Sequence, residues 1–478
     1  MSTSLTIARE EWRQWRRSRL AMLSLIVFSI LLIVTTALTL LDAQEARHER
    51  LHQQEQAEDT FLDQPDRHPH RMVHYGHYVF RAPLPLALFD PGVDAVTGQS
   101  MFLEGHRQNS AMFADARAEA RTGGFGALSP AKVYHVFLPL LIIALGHGVI
   151  LREREARTLG PLLSQGVSGD RLYRGKLLAL SALIGVLSLP ALFSVIAASF
   201  QGESFVSGLA LYASHLIYLF IWAALALLVS VATRSRGLAL GVLLAVWVVT
   251  VLVVPRIGVT SASAAIPSEG KILTDMRMND DLRKLGDGHN ASDPAFTKLR
   301  ADTLAKYGVE RVEDLPVNYR GLVASTSEEK LTKTLNQYAE KRLTREAAQA
   351  AHLSAYSWVS PYLAISGASR KVAGTDLATH HRFLREAEKL RYEFVQGLNK
   401  AHVEQLSYAD DMNRNKGEEG WRRARVDASN WQVLNDFRFS PDTADRRLQR
   451  AMPQIMAFVL WLLVLLTGGI MTARRLTP

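Results

Sequence analysis

The chain has 478 residues, 48% of them hydrophobic, and a formal net charge of +9. Those averages resemble a slightly basic soluble enzyme, but the apolar residues come in blocks, so the averages mix two solvents. Cysteine is absent, which excludes a disulfide framework and any thiolate metal site.

The N-terminal segment 1–19 ends in "REEWRQWRRSR" and carries Arg9, Arg13, Arg16, Arg17 and Arg19. An apolar run at 20–41 follows, and about 20 such residues cross a bilayer as a helix. It is too long for a secretory signal, and no small-x-small cleavage site precedes "LDAQEARHER", so it reads as a retained signal anchor. Five further runs, at 132–151, 177–199, 207–233, 237–257 and 453–473, also contain almost no charge. The expected fold class is therefore an all-α polytopic membrane protein. It has six transmembrane helices and a mainly helical extracytoplasmic domain, with some strand in the first outer segment.

Lys and Arg in short loops mark the cytoplasmic side. The N-terminal segment, the loop 152–176, Arg234 and Arg236, and Arg474 and Arg475 in the tail 474–478 fall on one face if the six helices alternate. Both termini are then expected in the cytoplasm, with 42–131 and 258–452 outside. Arg256, Arg446, Arg447 and Arg450 on the outer side run against the rule, which long translocated domains largely escape.

In the first outer segment, "RMVHYGHYVFRAPLPLALFDPGVDAVTG" alternates like a strand before breaking at Pro83, Pro85 and "DPG". It also gathers His48, His52, His68, His70, His74, His77 and His106. Imidazoles bind zinc or copper. On a strand His68 and His70 share a face, and on an outward continuation of the first helix His48 and His52 do. Neither geometry is convincing and acidic ligands at suitable spacing are missing, so these histidines are read as packing or surface residues, with no metal site. A membrane-tethered metal-handling enzyme is the alternative attached to them.

The second outer segment holds 30 basic and 27 acidic residues. That near balance argues against nucleic acid, which requires a basic stripe. "STSEEKL" opens with a capping box from Thr326 to Glu329, and Leu331, Leu335, Tyr338 and Leu343 recur at helical spacing up to a stop at Pro361. A second helix is predicted from "GTD", capped by Thr375 or Asp376, with Phe383, Ala387, Leu390, Phe394 and Leu398 on one face. Residues 271–320 read as turns with short helices. Trp421, Trp431, Phe437 and Phe439 lie beside arginines near the last span, as bilayer-interface aromatics or as core.

The loop 152–176 is the most charged stretch between two apolar runs. Leu159, Leu162 and Leu163 fall on one helical face behind Glu153 and Glu155, so a short amphipathic helix lying on the membrane and a solvated connector both fit. Here the sequence resembles the ABC-2 type permeases, whose first cytoplasmic loop reads E-x-E-x-G-T-L-x-x-L-L-S-x-P-V-S followed by G-K. Glu153, Glu155, Thr158, Leu159, Leu162, Leu163, Ser164, Val167, Ser168, Gly175 and Lys176 match. Arg157 stands where Gly is usual and Gly166 where Pro is usual. The resemblance implies a coupling helix that docks on an ATPase subunit through Glu153, Glu155, Thr158, Leu159, Leu162, Leu163 and Ser164. The outer segments resemble a bacterial subgroup whose outer region is a domain of unknown function.

"GDRLYRGKL" is not a phosphate-binding loop: Gly169 to Gly175 is one residue too long and Leu177 replaces the required hydroxyl. "GLVASTS" and "HLSAYS" lack the G-x-S-x-G frame, so no catalysis is expected in this chain. ATP and Mg are expected on the partner ATPase, with no cofactor here. Gly237 and Gly241 form G-x-x-x-G, for close helix packing between permeases or within one. Pro139 and Pro190 sit inside spans and should kink them. His135, His147 and His215 are the polar residues nearest a pathway, His147 more as a packing residue between Gly146 and Gly148.

The resemblance implies the membrane subunit of an ATP-driven exporter in the bacterial inner membrane. Its expected partners are an ABC ATPase, a second or paralogous permease, the lipid bilayer and a periplasmic protein. The alternative is a mechanotransmission subunit that relays ATPase-driven motion to an envelope protein and carries no solute.

Overall fold

The computed structural model describes residues 3–112, 128–434 and 436–476. In chain order, α1 (Thr3–Arg17) precedes α2 (Arg19–Leu62), and α3 (Pro69–Tyr75) leads into strands β1 (His77–Phe80) and β2 (Ser100–Leu103). α4 (Pro130–Glu155) ends at the loop carrying α5 (Leu159–Ser164). Then come α6 (Gly169–Leu187), α7 (Leu189–Phe200), α8 (Phe205–Ala232) and α9 (Arg236–Ala265). The polar helices α10 (Lys271–Arg283), α11 (Thr297–Tyr307), α12 (Tyr319–Ala355), α13 (Pro361–Ala373) and α14 (Leu377–Gln405) precede α15 (Ala444–Ala473).

Among the described residues α2, α4, α8, α9 and α15 are long and apolar enough to cross a bilayer, and the pair α6–α7, bent by 41°, brings the number to six if it forms one span. The chain is a helical membrane protein. Helices gain little from the hydrophobic effect against lipid tails, so close packing through small residues holds them together. A Cβ on Gly146 would lie 3.0 Å from that of Ala226, and one on Gly469 would strike the Tyr173 ring. α4 and α8 are the most enclosed crossings, while α2, α9 and α15 present Leu, Ile and Val outward.

Proline shapes the crossings by removing a backbone donor. The bend between α6 and α7 falls at Pro190, and beside it the buried Leu187 carbonyl accepts from the Tyr134 hydroxyl at 2.7 Å. Before Pro139 the helix widens over Val133–Phe137, and the freed His135 carbonyl accepts from the Tyr218 hydroxyl at 2.7 Å. Side chains of neighbouring helices thus satisfy what proline leaves open.

α2 is 44 residues long, about twice a bilayer crossing, and its far half belongs to a polar domain. Both large polar segments build this single domain. Phe61 of α2 packs edge-on against Phe394 of α14, ring centroids 5.8 Å apart, in a core with Val79, Met101, Phe383, Leu398 and Trp431. Between α12 and α14 the fully buried Arg391 donates to Glu328 at 2.6 Å and to Glu388 at 2.9 Å. The domain is anchored to the bundle where Ser360 donates to the Thr250 carbonyl at 2.6 Å and buried Arg447 meets Glu203 and the Val372 carbonyl. Arg447 and Arg450, which ran against the charge rule, are neutralised by Glu203 and by Asp442 and Asp376.

Several local expectations need correction. The stretch after Arg71 forms strand only at β1, paired antiparallel with β2, His77 opposite Leu103. Residues before it are helical, because Pro69 suits the first helical position and the His68 side chain caps the turn by accepting from the His70 N–H at 3.1 Å. Consequently His68 and His70 share no strand face. α12 starts not at Thr326 but at Tyr319, capped by Asn318, whose side chain accepts from Arg320 and Gly321. α14 does start after Asp376, and its five predicted apolar residues are all buried. Trp431, Phe437 and Phe439 belong to the polar-domain core, and Trp421 stacks under Arg71 at 4.0 Å, so the bilayer-interface option falls.

Candidate functional site at the charged loop

α1, the loop from Ala156 to Ser168, the turn before α9 and the end of α15 meet at one end of the bundle, opposite the polar domain. α1 is amphipathic: Ala8, Glu11 and Trp15 point inward while its arginines stay in solvent. It lies along α6, with the Trp12 ring N–H donating to the Ala179 carbonyl at 3.2 Å. Glu11 is completely buried. It accepts from Lys176 Nζ at 2.7 Å and from Arg152, and Lys176 reaches on to Glu153 at 2.9 Å.

The two glutamates of the motif therefore have distinct jobs. Glu153 ties the loop to α6 through Lys176 and accepts from the Thr158 hydroxyl at 2.8 Å. Glu155 ties it to α9, accepting from the Arg236 N–H at 3.1 Å and pairing with its guanidinium. Between them Arg154 donates to the Thr233 carbonyl at the end of α8, at 2.6 Å. The end of α4, which leads into the loop, is braced to three membrane helices.

On α5, Leu159 is buried, Leu162 and Leu163 are half-buried, and Thr158, Pro161, Ser164, Gln165 and Gly166 are exposed. The site residues named from sequence thus divide into braces (Glu153, Glu155, Leu159) and an exposed edge (Thr158, Ser164) flanked by Leu162 and Leu163. Both departures from the ABC-2 pattern fall at residues with positive φ. Arg157 has φ 57°, the left-handed region where glycine is at ease. Gly166 has φ 87°, which proline cannot adopt, so the turn out of α5 differs from the consensus there.

Gly237 and Gly241 do not pack within the chain: a Cβ on either would meet nothing within 4 Å among the described residues. The intrachain option for G-x-x-x-G is corrected; this face of α9 points outward. His135 and His215 stack in the bundle with Nε2 atoms 2.9 Å apart, both buried. The His147 Nδ1 faces its own helix carbonyls, Ile143 and Ala144. Sequence reasoning missed α1 and Glu11, although Ala8, Trp12 and Trp15 at helical spacing in an arginine-rich stretch carry the signal.

In the polar domain the histidines segregate. His48 is exposed on α2, and His77 is buried beside Gln54. His68 and His402 converge on Asp411, which also accepts from Arg414 and Asn318. Burial alone would raise that carboxyl, but the hydrogen bonds from His402 and His68 carry it far below the usual range. His70, His74 and His106 meet elsewhere, joined by His289 from a distant turn.

Residues 273–440 match the family described as Domain of unknown function (DUF3526). The matched DUF3526 segment runs from within α10 to just before α15, so it contains most of the polar domain and none of the charged loop. No curated protein matches the chain.

Proposed function

We propose that the chain is the membrane-spanning permease subunit of an ATP-driven ABC-2 type exporter. It works in a bacterial inner membrane with a separate ATPase and a second permease, identical or paralogous. The observation that carries this reading is the brace at the end of α4: Glu153, Arg154 and Glu155, on the turn that leads into the short, exposed-edged α5, tie to α6, α8 and α9. A solvated connector has no need of three ties. A handle that transmits force does. ATP-driven closure of the ATPase pair pushes on α5, the braces pass the displacement to three crossings, and those crossings tilt against the second permease. The outward glycine face of α9 supplies a surface for that neighbour.

Co-purification tests the proposal. Glu155→Lys with Leu162→Asp is expected to lose the ATPase subunit or its stimulation. Retained, fully coupled ATPase activity contradicts it.

The mechanotransmission reading gains from a separate observation. α2 runs unbroken from the crossing into the polar-domain core, so motion at the loop face reaches that domain through a rigid rod. ATP-dependent solute movement in proteoliposomes favours the exporter. Its absence, together with an envelope protein bound to the polar domain, favours the relay.

A further inference from the structure

Four imidazoles converge in the polar domain from three places in the chain. His70 and His74 lie one turn apart on α3, on the same face. His106 sits in the turn after β2, and His289 in the turn between α10 and α11. Each offers one ring nitrogen, and these nitrogens all lie within 4.8 Å of one another. The His70 and His74 Nε2 atoms are 3.1 Å apart, close to the spacing of about 3.3 Å between two nitrogens of a tetrahedral site with bonds near 2.05 Å.

Two of the rings are already oriented as ligands. Glu328 accepts from the His106 backbone N–H at 3.1 Å and from its ring Nδ1 at 3.0 Å. A carboxylate only accepts, so the proton sits on Nδ1 and the Nε2 lone pair is free; that Nε2 is buried without a hydrogen-bond partner. Asp287 does the same for His289, its Oδ1 lying 3.2 Å from Nδ1. A carboxylate behind a histidine, fixing tautomer and ring orientation, is the arrangement that accompanies metal-ligating imidazoles.

We propose that His70, His74, His106 and His289 bind one divalent late first-row metal ion, with Asp287 and Glu328 as positioning residues. An all-imidazole donor set suits Zn²⁺ or Cu²⁺ and not the oxygen-seeking Mg²⁺ or Ca²⁺. The neighbouring group of His68, His402 and Asp411 differs in kind. His68 Nδ1 already accepts from a backbone N–H, and Asp411 is filled by its histidine, arginine and asparagine donors, so no lone pairs converge there. Occupancy of the four-histidine site clips the turn around His289 to α3 and to the β2 turn. This gives the polar domain a metal-dependent closure, whether or not the chain is a permease.

The test uses full-length protein purified in detergent, stripped with a chelator and titrated with Zn²⁺ and, separately, Cu²⁺. Wild type is expected to retain one ion per chain and to melt at a higher temperature when loaded, with X-ray absorption showing imidazole nitrogens at about 2.0 Å. His74→Ala/His289→Ala is expected to bind at least about 100-fold more weakly, with the metal-free melting temperature unchanged. Asp287→Asn keeps all four ligands and is expected to lose about 10-fold, which stays readable even if the double variant does not fold. His48→Ala binds like wild type. No retained ion, equal binding by the double variant, or an absorption spectrum without imidazole scattering overturns the proposal.

Discussion

Glu11→Gln probes how the N-terminal helix is held against the loop. Glu11 is fully buried between Lys176 and Arg152, so the amide leaves an ammonium with one fewer carboxylate in a nearly dry place. Breaking a buried pair from one side costs about 3–5 kcal/mol. Here Lys176 keeps Glu153 at 2.9 Å and Arg152 is one-third exposed, which lowers the expectation to about 2–4 kcal/mol. If that energy holds α1 down, the undocked population rises roughly 30- to 900-fold, at tenfold per 1.36 kcal/mol. Trypsin reads it directly, because Arg13, Arg16 and Arg17 become cleavable when α1 lifts. Adding Lys176→Met removes the stranded cation and should recover part of the protection. Unchanged cleavage in Glu11→Gln, or a double variant more sensitive than the single, would refute the reasoning and leave Trp12 and Trp15 packing as the whole attachment.

Three further outcomes follow from the same geometry. Arg157→Gly relieves a left-handed residue and should stabilise the detergent-solubilised protein by about 0.5–1 kcal/mol, seen as a higher melting temperature; a lower one contradicts the strain. Gly237→Leu/Gly241→Leu should leave the melting temperature of the single chain nearly unchanged while reducing cross-linked dimer, and a loss of folding would place that face inside the chain. Glu328 is held down to about 2: burial acts upward, and the His106 contact and Arg391 outweigh it. Its contribution is complete above the unfolded value near 4.5 and fades as the pH falls towards 2, so the stability gap between wild type and Glu328→Gln, about 3 kcal/mol at neutral pH, should shrink across that window. A gap independent of pH in chelator-treated protein contradicts the assignment.

Much of the bundle was readable because a bilayer crossing demands length and apolarity, and all six runs lie in long helices, counting the bent pair as one. α14 was equally plain, since Phe383 to Leu398 repeat at helical period and Asp376 precedes them. What escaped was set by tertiary neighbours. Periodicity at 71–80 looked like a strand because Val73, Tyr75, His77 and Val79 alternate, yet the Pro69 start and the His68 cap turned its first half into helix. The α12 start was misplaced because the Thr326–Glu329 box is real in sequence, but Asn318 caps earlier and Glu328 is drawn inward to Arg391. His289 was invisible as a partner of His70 because their meeting depends on the fold of a long intervening chain. In the charged loop, spacing alone did not tell brace from exposed edge.

The chain lacks cysteine, so single cysteines report sidedness without background. Gln165→Cys on the loop and Asn279→Cys on the polar domain, each in intact spheroplasts, would be exposed to a maleimide that does not cross the membrane. Labelling is expected to be rapid at 279 and absent at 165 until the membrane is permeabilised. Rapid labelling at 165 in sealed spheroplasts would put the loop outside and contradict its role as the grip of an internal ATPase.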